Sequence, residues 1–249
     1  MRGVAGLLAL AGLLQVLSRT GLVSAAYLPP ASETGSVLWR MFRQKAFWTD
    51  VGDTLTGWSL GLAIAVVAGV AVGVVIGSVP LLRAVTASTI DFLRPIPSVA
   101  LIPLAVVLYG ADVRSTLLLI VYAAFWQILI QVLAGLEDVD PVANDVARSF
   151  LLRRRTRIRY VLWPSGLPYV MTGVRLAASV ALILAVTAEL IIGSPGLGHR
   201  LAVAQVSGAV PQVYALVLFT GLLGAALNLV MCSVERWALR WHQSVRVKV

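Results

Sequence analysis

The sequence predicts an all-α fold, a polytopic bundle of about six membrane-spanning helices. Of its 249 residues, 59% are hydrophobic and only 12% are charged, about half the charged share of an ordinary soluble domain. Several charge-free runs are long enough to cross roughly 30 Å of hydrocarbon, which takes about 20 helical residues. One strongly charged segment, residues 137–168, separates two of these runs. A bilayer cannot solvate that segment, so it is expected to project into water.

The predicted spans follow one another with polar segments or turns between them. They cover residues 3–18, 54–78, 85–110, 115–136, 170–192 and 212–234. Residues 3–18 also resemble a signal peptide, with a basic start and a short apolar region. A retained helix and a cleaved leader therefore both stay open. Within residues 19–53, the pair Pro29-Pro30 ends any helix, and apolar residues then recur at helical spacing. This pattern predicts an interfacial helix, with a loop containing an amphipathic turn as the alternative.

Three parts of the chain are expected. Residues 1–50 hold the N-terminal helix and the interfacial segment, residues 51–240 form the transmembrane domain, and residues 241–249 form a tail. With the N-terminus inside, twelve arginines and lysines face the cytosol and six face the opposite side. By the positive-inside rule this bias places both termini in the cytoplasm.

The second span carries small residues at four-residue intervals, and these include Gly61, Gly69, Gly73 and Gly77. Small residues at this spacing flatten one helix face, so a neighbouring helix can approach closely. We therefore expect a helix-packing seam, in preference to a direct functional role for the glycines.

Two features of the later spans suggest candidate residues of a translocation path or gate. Pro97 and Pro103 each remove a backbone donor from the third span, so that span must kink or begin late. Glu189 is an acid within the fifth span, where a charge is costly and usually faces the bundle interior or water. Glu189 can line a path, contact a gate or serve as a structural hydrogen-bonding group.

The charged segment has helical periodicity. Asp140 before Pro141 is a favourable helix start. Apolar residues then form a stripe at four-residue intervals, with Val142, Val146 and Phe150 on one line and Ala143, Ala147 and Leu151 beside it. A second helical stretch is expected to end at Pro164 and Pro168, before the fifth span. Such a helix suits docking into a groove on a cytosolic partner. A solvated connector whose arginines contact lipid headgroups is the alternative.

Catalytic and metal-binding patterns are missing from the sequence. It has no G-x-x-x-x-G-K-[ST] loop, and His199 and His242 lie far apart with no cysteine or carboxylate cluster. The single cysteine, Cys232, lies in an apolar run. The net charge of +9 is concentrated beside membrane spans, where basic clusters attract lipid rather than nucleic acid. The chain is therefore expected to have no catalytic residue, no metal and no cofactor of its own.

Residues 141–168 resemble the cytoplasmic "EAA" loop of ABC-importer permeases, the membrane subunits of binding-protein-dependent transport systems. In that loop a Glu-Ala-Ala triplet is followed by a glycine and later by a hydrophobic-x-Leu-Pro ending. Here Asp145-Val146-Ala147 falls on the triplet, Leu151 on the glycine and Val161-Leu162-Trp163-Pro164 on the ending.

Other segments are similar to the nitrate-, sulfonate- and taurine-type branch of the same family. Arg94-Pro95-Ile96-Pro97, followed by Ala100-Leu101-Ile102-Pro103-Leu104, resembles the third span of that branch. Gly173-Val174-Arg175-Leu176 and the later Ala188-Glu189-Leu190 resemble its fifth span. The resemblance covers roughly residues 50–240.

The resemblance implies a type I ABC importer permease-like fold in a bacterial inner membrane. It further implies a homodimer, two cytosolic ATP-binding cassette subunits that hold ATP and Mg²⁺, and an extracytoplasmic solute-binding protein. The solute would be small, such as nitrate, a sulfonate or taurine. The residues that would couple to the ATPase are Asp145, Val146, Ala147, Arg148, Phe150 and Leu151. The alternative is a secondary transporter in which Glu189 is the coupling-ion carboxylate.

Overall fold

The computed structural model describes Gln15, Ser18 and residues 27–241. Most of the predicted first span and the tail after residue 241 lie outside this part. Within it, every regular element is helical, so the predicted all-α fold is confirmed. The helices are α1 (Ala31–Phe42), α2 (Lys45–Ser78), α3 (Pro80–Leu93), α4 (Ile102–Tyr109), α5 (Val113–Glu137), α6 (Pro141–Ser149), α7 (Arg154–Arg157), α8 (Trp163–Ile192), α9 (Leu197–Val206) and α10 (Val210–Ala238). A 3₁₀ turn covers Ser98–Leu101 and a π-helical turn covers Ile158–Leu162.

Four of the described helices are long and apolar enough to cross a membrane: α2, α5, α8 and α10. The pair formed by α3 and Ser98–Tyr109 adds a fifth crossing if the two pieces count as one span. With 34 residues, α2 is about 50 Å long. It therefore extends beyond a hydrocarbon core of roughly 30 Å, and it begins at Lys45 rather than at residue 54 as predicted.

The third span is broken rather than merely kinked. Its two pieces meet at 82°, and Pro95 and Pro97 lie between them. Neither proline can donate a backbone hydrogen bond, so the helix cannot continue through this stretch. Tyr122 of α5 donates a hydrogen bond from its Oη to the backbone oxygen of Leu93, at 2.9 Å. The same oxygen also accepts a hydrogen bond from the backbone N–H of Ile96 at 3.2 Å, so this carbonyl has two partners at the break.

The prediction that Pro168 ends a helix is wrong. Pro164 lies in the first turn of α8 and Pro168 lies inside the helix. Helix α8 continues directly from the π-helical turn Ile158–Leu162, so both prolines lie within one continuous helical run. Pro168 removes only the bond to the carbonyl four residues earlier, and membrane helices tolerate such a loss where neighbouring groups compensate. The fifth span therefore starts at Trp163 rather than at residue 170.

The glycines of α2 lie against α5, and the two helices run parallel. Gly61 faces Ile120, Gly69 faces Ile128, Gly73 faces Val132 and Gly77 faces Leu136. A Cβ atom on Gly69 would lie 2.9 Å from the Cβ of Ile128, which is too close for carbon atoms. The backbone of α2 therefore contacts the side chains of α5 directly.

Helix α8 packs antiparallel to α5 and completes the centre of the bundle. Gly135 of α5 faces Tyr169, and Gly173 of α8 faces Gln131. Trp58 of α2 donates a hydrogen bond from Nε1 to the backbone oxygen of Ala178, at 2.8 Å. These contacts fix the ends of the bundle: α6 projects from the end where α5 finishes and α8 begins.

A helix forms in the segment predicted to be interfacial. It is α1, which starts directly after Pro30 and packs against α10. Beyond it, Phe42, Phe47 and Phe219 form an aromatic cluster with the Phe47 and Phe219 ring centroids 4.8 Å apart. The cluster joins α1, the first turn of α2 and α10.

Candidate coupling helix and the polar clamp at the opposite end

Helix α6 starts where the sequence predicts. The side chain of Asp140 accepts a hydrogen bond from the backbone N–H of Val142, with Oδ1 and N 2.8 Å apart. This bond satisfies a donor that the first helical turn leaves free. Pro141 occupies the first helical position, where its missing N–H costs nothing.

One face of α6 is apolar and exposed. Val142, Val146 and Phe150 are 68%, 49% and 77% exposed, and they repeat at intervals of four residues. Asp145 on the same helix is also exposed, and arginines follow from Arg153 onward. An apolar surface on such a charged, water-accessible segment indicates an interaction site.

The opposite face of α6 packs against the π-helical turn Ile158–Leu162. Ala147, one of the residues expected to couple to the ATPase, is only 3% exposed, so its coupling role stays a prediction that does not depend on an exposed side chain. Ala147 follows Val146 in the sequence, and one step along a helix turns the side chain by about 100°. Val146 therefore faces outward while Ala147 faces the rest of the chain. Arg148 lies on α6, and its side chain lies outside the described part of the structure.

Leu151, two residues after the last residue of α6, has an unusual backbone conformation. Its φ is 52°, in the left-handed region that glycine adopts freely. The next residue, Leu152, donates a backbone hydrogen bond to the oxygen of Ala147 at 3.1 Å. This is the 6→1 hydrogen bond of the Schellman motif, in which glycine commonly follows the end of a helix. Leu151 therefore makes the turn expected of a glycine at this position.

Two side-chain contacts join the segment around α6 to the bundle. Arg83 of α3 forms an ion pair with Glu137 at the end of α5. Tyr169 of α8 donates a hydrogen bond from Oη to Oδ2 of Asp138, at 2.5 Å. Neither contact could be predicted from helical periodicity, because the two partners of each contact lie on different elements.

Glu189 lies at the end of the bundle opposite α6, and it is only 2% exposed. Its Oε2 accepts a hydrogen bond from Oγ1 of Thr54 at 2.8 Å and another from the backbone N–H of Gly198 at 2.9 Å. Because Gly198 is in the first turn of α9, the carboxylate lies at the positive end of that helix. Of the three roles left open for Glu189, structural hydrogen bonding is the one that these contacts match.

The same polar cluster holds the turn that leads into α9. Thr54 also accepts a hydrogen bond from the backbone N–H of Leu197, at 2.9 Å. Thr116 of α5 and Ser194 share a hydrogen bond, with their Oγ atoms 2.8 Å apart. All four side chains are buried. We call the group of Thr54, Thr116, Glu189 and Ser194 the Glu189 clamp.

Gly196 belongs to the turn that the Glu189 clamp holds. Its φ is 147°, and a methyl group in place of its hydrogen would overlap the Glu189 carboxylate. Only glycine fits that close approach. The Gly-Ser-Pro-Gly-Leu-Gly run is therefore shaped to bring backbone N–H groups onto Glu189 and Thr54.

The other two candidate path residues lie elsewhere. Pro97 precedes the 3₁₀ turn at the break of the third span, and Pro103 lies in the first turn of α4. Both are exposed. The hydrogen bonds of Glu189 run to Thr54 of α2 and Gly198 of α9. They do not connect Glu189 to Pro97 or to Pro103.

Further ion pairs tie the long helices together near each end. Arg200 of α9 pairs with Asp50 of α2 on the Glu189 side. On the side of α6, Arg175 Nη1 lies 3.3 Å from Oε2 of Glu235 in α10. Among the described residues, no three His, Cys, Asp or Glu side chains come together as metal ligands.

A bundle of long apolar helices, with one short exposed helix between two of them, is the architecture of a membrane subunit. The chain belongs to the family described as binding-protein-dependent transport system inner membrane component, whose model matches residues 41–240. The resemblance inferred from the sequence is thereby confirmed. The chain is a permease subunit of an ABC importer, and the alternative of a secondary transporter is set aside.

Two relatives and one solved structure illustrate the match. The taurine transport system permease protein of Escherichia coli (strain K12) is 30% identical over 230 residues, which cover 90% of this chain and 84% of that protein. The bicarbonate transport system permease protein of Synechococcus elongatus is 29% identical, over 78% of this chain and 70% of that protein. A structure of the MetNI methionine ABC transporter, described as inward facing, shares the fold with a TM-score of 0.65 and 19% identity, over 77% of this chain and 95% of that one.

Proposed function

We propose that two copies of this chain enclose a pathway for a small solute and that α6 of each copy docks onto a cytosolic ATP-binding cassette subunit. The exposed apolar face formed by Val142, Val146 and Phe150 is the observation that carries the proposal. Full burial of such side chains contributes about 1.5–3 kcal/mol each. A groove on the ATPase subunit that covered this face would gain several kcal/mol before the cost of association.

Movement of α6 would reach the bundle through two contacts at the residues just before its N-terminal end. The Arg83–Glu137 ion pair joins α3 to the end of α5, and the Tyr169–Asp138 hydrogen bond joins α8 to the residue that follows α5. Closure of the ATPase subunits on ATP would draw the two α6 helices together. These contacts would then convert that displacement into a change in which side of the pathway is open.

The Glu189 clamp would act at the far end of the same helices. It joins α2, α5 and α8 to the start of α9 through hydrogen bonds between buried groups. Buried and satisfied polar networks are rigid. With α6 in the cytosol, α9 and the clamp lie on the extracytoplasmic side, where a solute-binding protein delivers its cargo.

The proposed solute is a small polar molecule with an oxyanion group, such as a sulfonate, taurine, nitrate or bicarbonate. The support is the similarity to permeases named for taurine and for bicarbonate. Isothermal titration of the partner solute-binding protein with each of these solutes tests this proposal. Tight binding of a cationic or purely apolar solute, with none of the four bound, would contradict it.

The docking proposal is tested by Val146→Asp. A carboxylate in the centre of an apolar interface is costly to desolvate, so the variant should fail to retain the ATP-binding subunit in mild detergent. The matched control is Val203→Asp on α9, where the side chain is 52% exposed against 49% for Val146. The control should retain the ATPase subunit. Retention of that subunit by Val146→Asp at the level of the unaltered protein would refute the docking role of α6.

A further inference from the structure

Leu151 is the one non-glycine residue of the described chain that has a positive φ. At 52° the Cβ atom crowds the following carbonyl, a conformation that is costly for an L-residue and free for glycine. Backbone strain of this kind clusters at functional and ligand-contacting sites, where the surrounding structure holds it in place.

The protein itself gains little from the Leu151 side chain. Leu151 is 88% exposed, so it buries almost none of its apolar surface within this chain. The turn is closed by a backbone bond from Leu152 to Ala147, which a glycine at position 151 would leave intact. In the free subunit, leucine at position 151 therefore costs more free energy than glycine would. It strains the backbone, and it exposes an apolar side chain to water.

The side chain extends the docking surface of α6. Phe150, its neighbour, is 77% exposed, and Leu152 is 40% exposed. Together with Val146 they form a continuous apolar run at the C-terminal end of the helix. Burial of this run against a partner would offset the cost that the isolated subunit bears.

We propose that Leu151 determines which ATP-binding cassette subunit pairs with this permease. The proposal rests on the docking role of α6 proposed above. In it, Leu151 enters an apolar recess of the ATPase subunit, beside the groove that takes Val146 and Phe150. A loop with glycine at this position presents no side chain there, so an ATPase subunit that pairs with such a loop needs no recess. A recess that fits Leu151 then distinguishes the correct subunit from related ones.

The occupant of this surface follows from the family to which the chain belongs. An ABC importer draws its energy from a cytosolic ATP-binding cassette subunit, and α6 presents an exposed apolar surface between two spans. The arginines that follow from Arg153 would also attract an anionic membrane surface. Lipid is therefore the outcome that the experiment must separate from the ATPase subunit.

The test uses the full-length permease in nanodiscs and measures the dissociation constant of its own ATP-binding subunit. Leu151→Gly relaxes the turn and removes the side chain, and Leu151→Asn keeps a residue that tolerates this backbone region. Both should weaken binding by roughly tenfold, the loss expected when an apolar side chain of this size is no longer buried. With an ATP-binding subunit from a related importer whose permease has glycine at this position, Leu151→Gly should instead bind at least as tightly as the unaltered permease.

Phe150→Ala separates the two proposals. If Phe150→Ala weakens binding and Leu151→Gly leaves it unchanged or tighter, the pairing role of Leu151 is refuted while docking through α6 stands. If neither variant changes binding, the docking role itself fails. The measurement is made in nanodiscs that contain phosphatidylglycerol and is repeated in nanodiscs of phosphatidylethanolamine alone. An effect of Leu151→Gly that appears only with phosphatidylglycerol would identify lipid as the occupant and would also overturn the proposal.

Discussion

The Glu189 carboxylate accepts a hydrogen bond from the backbone N–H of Gly198, with Oε2 and N 2.9 Å apart. This contact joins the last turn of α8 to the first turn of α9, and Gly193-Ser194-Pro195-Gly196 form the tight turn between them. A hydrogen-bond acceptor at this depth is stabilised by the N–H groups and the dipole at the start of α9. Glu189 therefore acts as the anchor of α9 at the end of the bundle opposite α6.

Glu189→Gln should loosen α9 while preserving the shape of the side chain. The amide either accepts a weaker hydrogen bond from the Gly198 N–H or turns a donor toward it, and a buried donor left unsatisfied costs about 1–3 kcal/mol. Hydrogen exchange of the amides of residues 197–201 should accelerate accordingly. The control is Glu33→Gln, which changes the same atoms on the exposed side of α1. Equal protection of α9 in both variants would mean that Glu189 does not anchor it.

Thr54→Val tests the second hydrogen-bonding group of the Glu189 clamp. Thr54 donates to Glu189 and accepts from the N–H of Leu197, so valine would remove one of the two hydrogen bonds to Glu189 and leave the buried N–H of Leu197 without its partner. Each lost bond costs about 1–3 kcal/mol, and the melting temperature in detergent should fall. Thr54→Ser should retain most of the stability because it keeps the hydroxyl.

Thr56→Val is the matched control for Thr54→Val. Thr56 lies two residues away on α2, is exposed, and bonds only its own helix backbone at Gly52. Its replacement should change the melting temperature little. A fall as large as that of Thr54→Val would assign the effect to helix α2 in general rather than to the clamp.

The fold was predictable where its signal is local in sequence. The four-residue spacing of Gly61, Gly69 and Gly73 is a property of one helix, and the structure places that face against α5. The start of α6 at Asp140 and Pro141 depends on neighbouring residues alone. Periodicity and capping could therefore position these elements without knowledge of the rest of the chain.

The Glu189 clamp could not be assembled from the sequence, because its partners are distant. Thr54 and Glu189 are 135 residues apart, and Thr54 and Leu197 are 143 apart. A threonine in an apolar span usually forms a hydrogen bond with its own helix backbone, as Thr56 does here. The sequence therefore did not show that Thr54 instead bonds to Glu189. Similarly, periodicity gave the apolar stripe of α6 but could not show that Ala147 packs inward. That outcome depends on the π-helical turn Ile158–Leu162, whose position is set by the bundle.

Gly69→Ala should destabilise the bundle. The added methyl group would lie 2.9 Å from the Cβ of Ile128 and 3.3 Å from the backbone oxygen of Phe125. Helix α5 would have to move away, at a cost of about 1–3 kcal/mol for such overpacking. Thermal unfolding in detergent measures the effect.

Gly52→Ala on the same helix is the control for Gly69→Ala. A Cβ atom at position 52 meets nothing within 4 Å. Alanine favours a helix over glycine by roughly 0.5–1 kcal/mol, so this variant should be slightly more stable than the unaltered protein. If Gly69→Ala were also stabilising, the contact between α2 and α5 would be looser than the structure indicates.

Tyr169→Phe should reduce the efficiency of coupling without loss of the ATPase subunit. The change removes only the hydroxyl that donates to Asp138, and the docking face of α6 is untouched. If that bond transmits the displacement of α6 to α8, less solute should be transported per ATP hydrolysed in proteoliposomes. ATPase retention should be unchanged. Tyr160→Phe is the control, since Tyr160 is 68% exposed on the segment that connects α6 to α8, and it should transport normally. A normal transport ratio in Tyr169→Phe would instead place the transmission in the backbone path through residues 154–162, with the side-chain contact serving only to position Asp138.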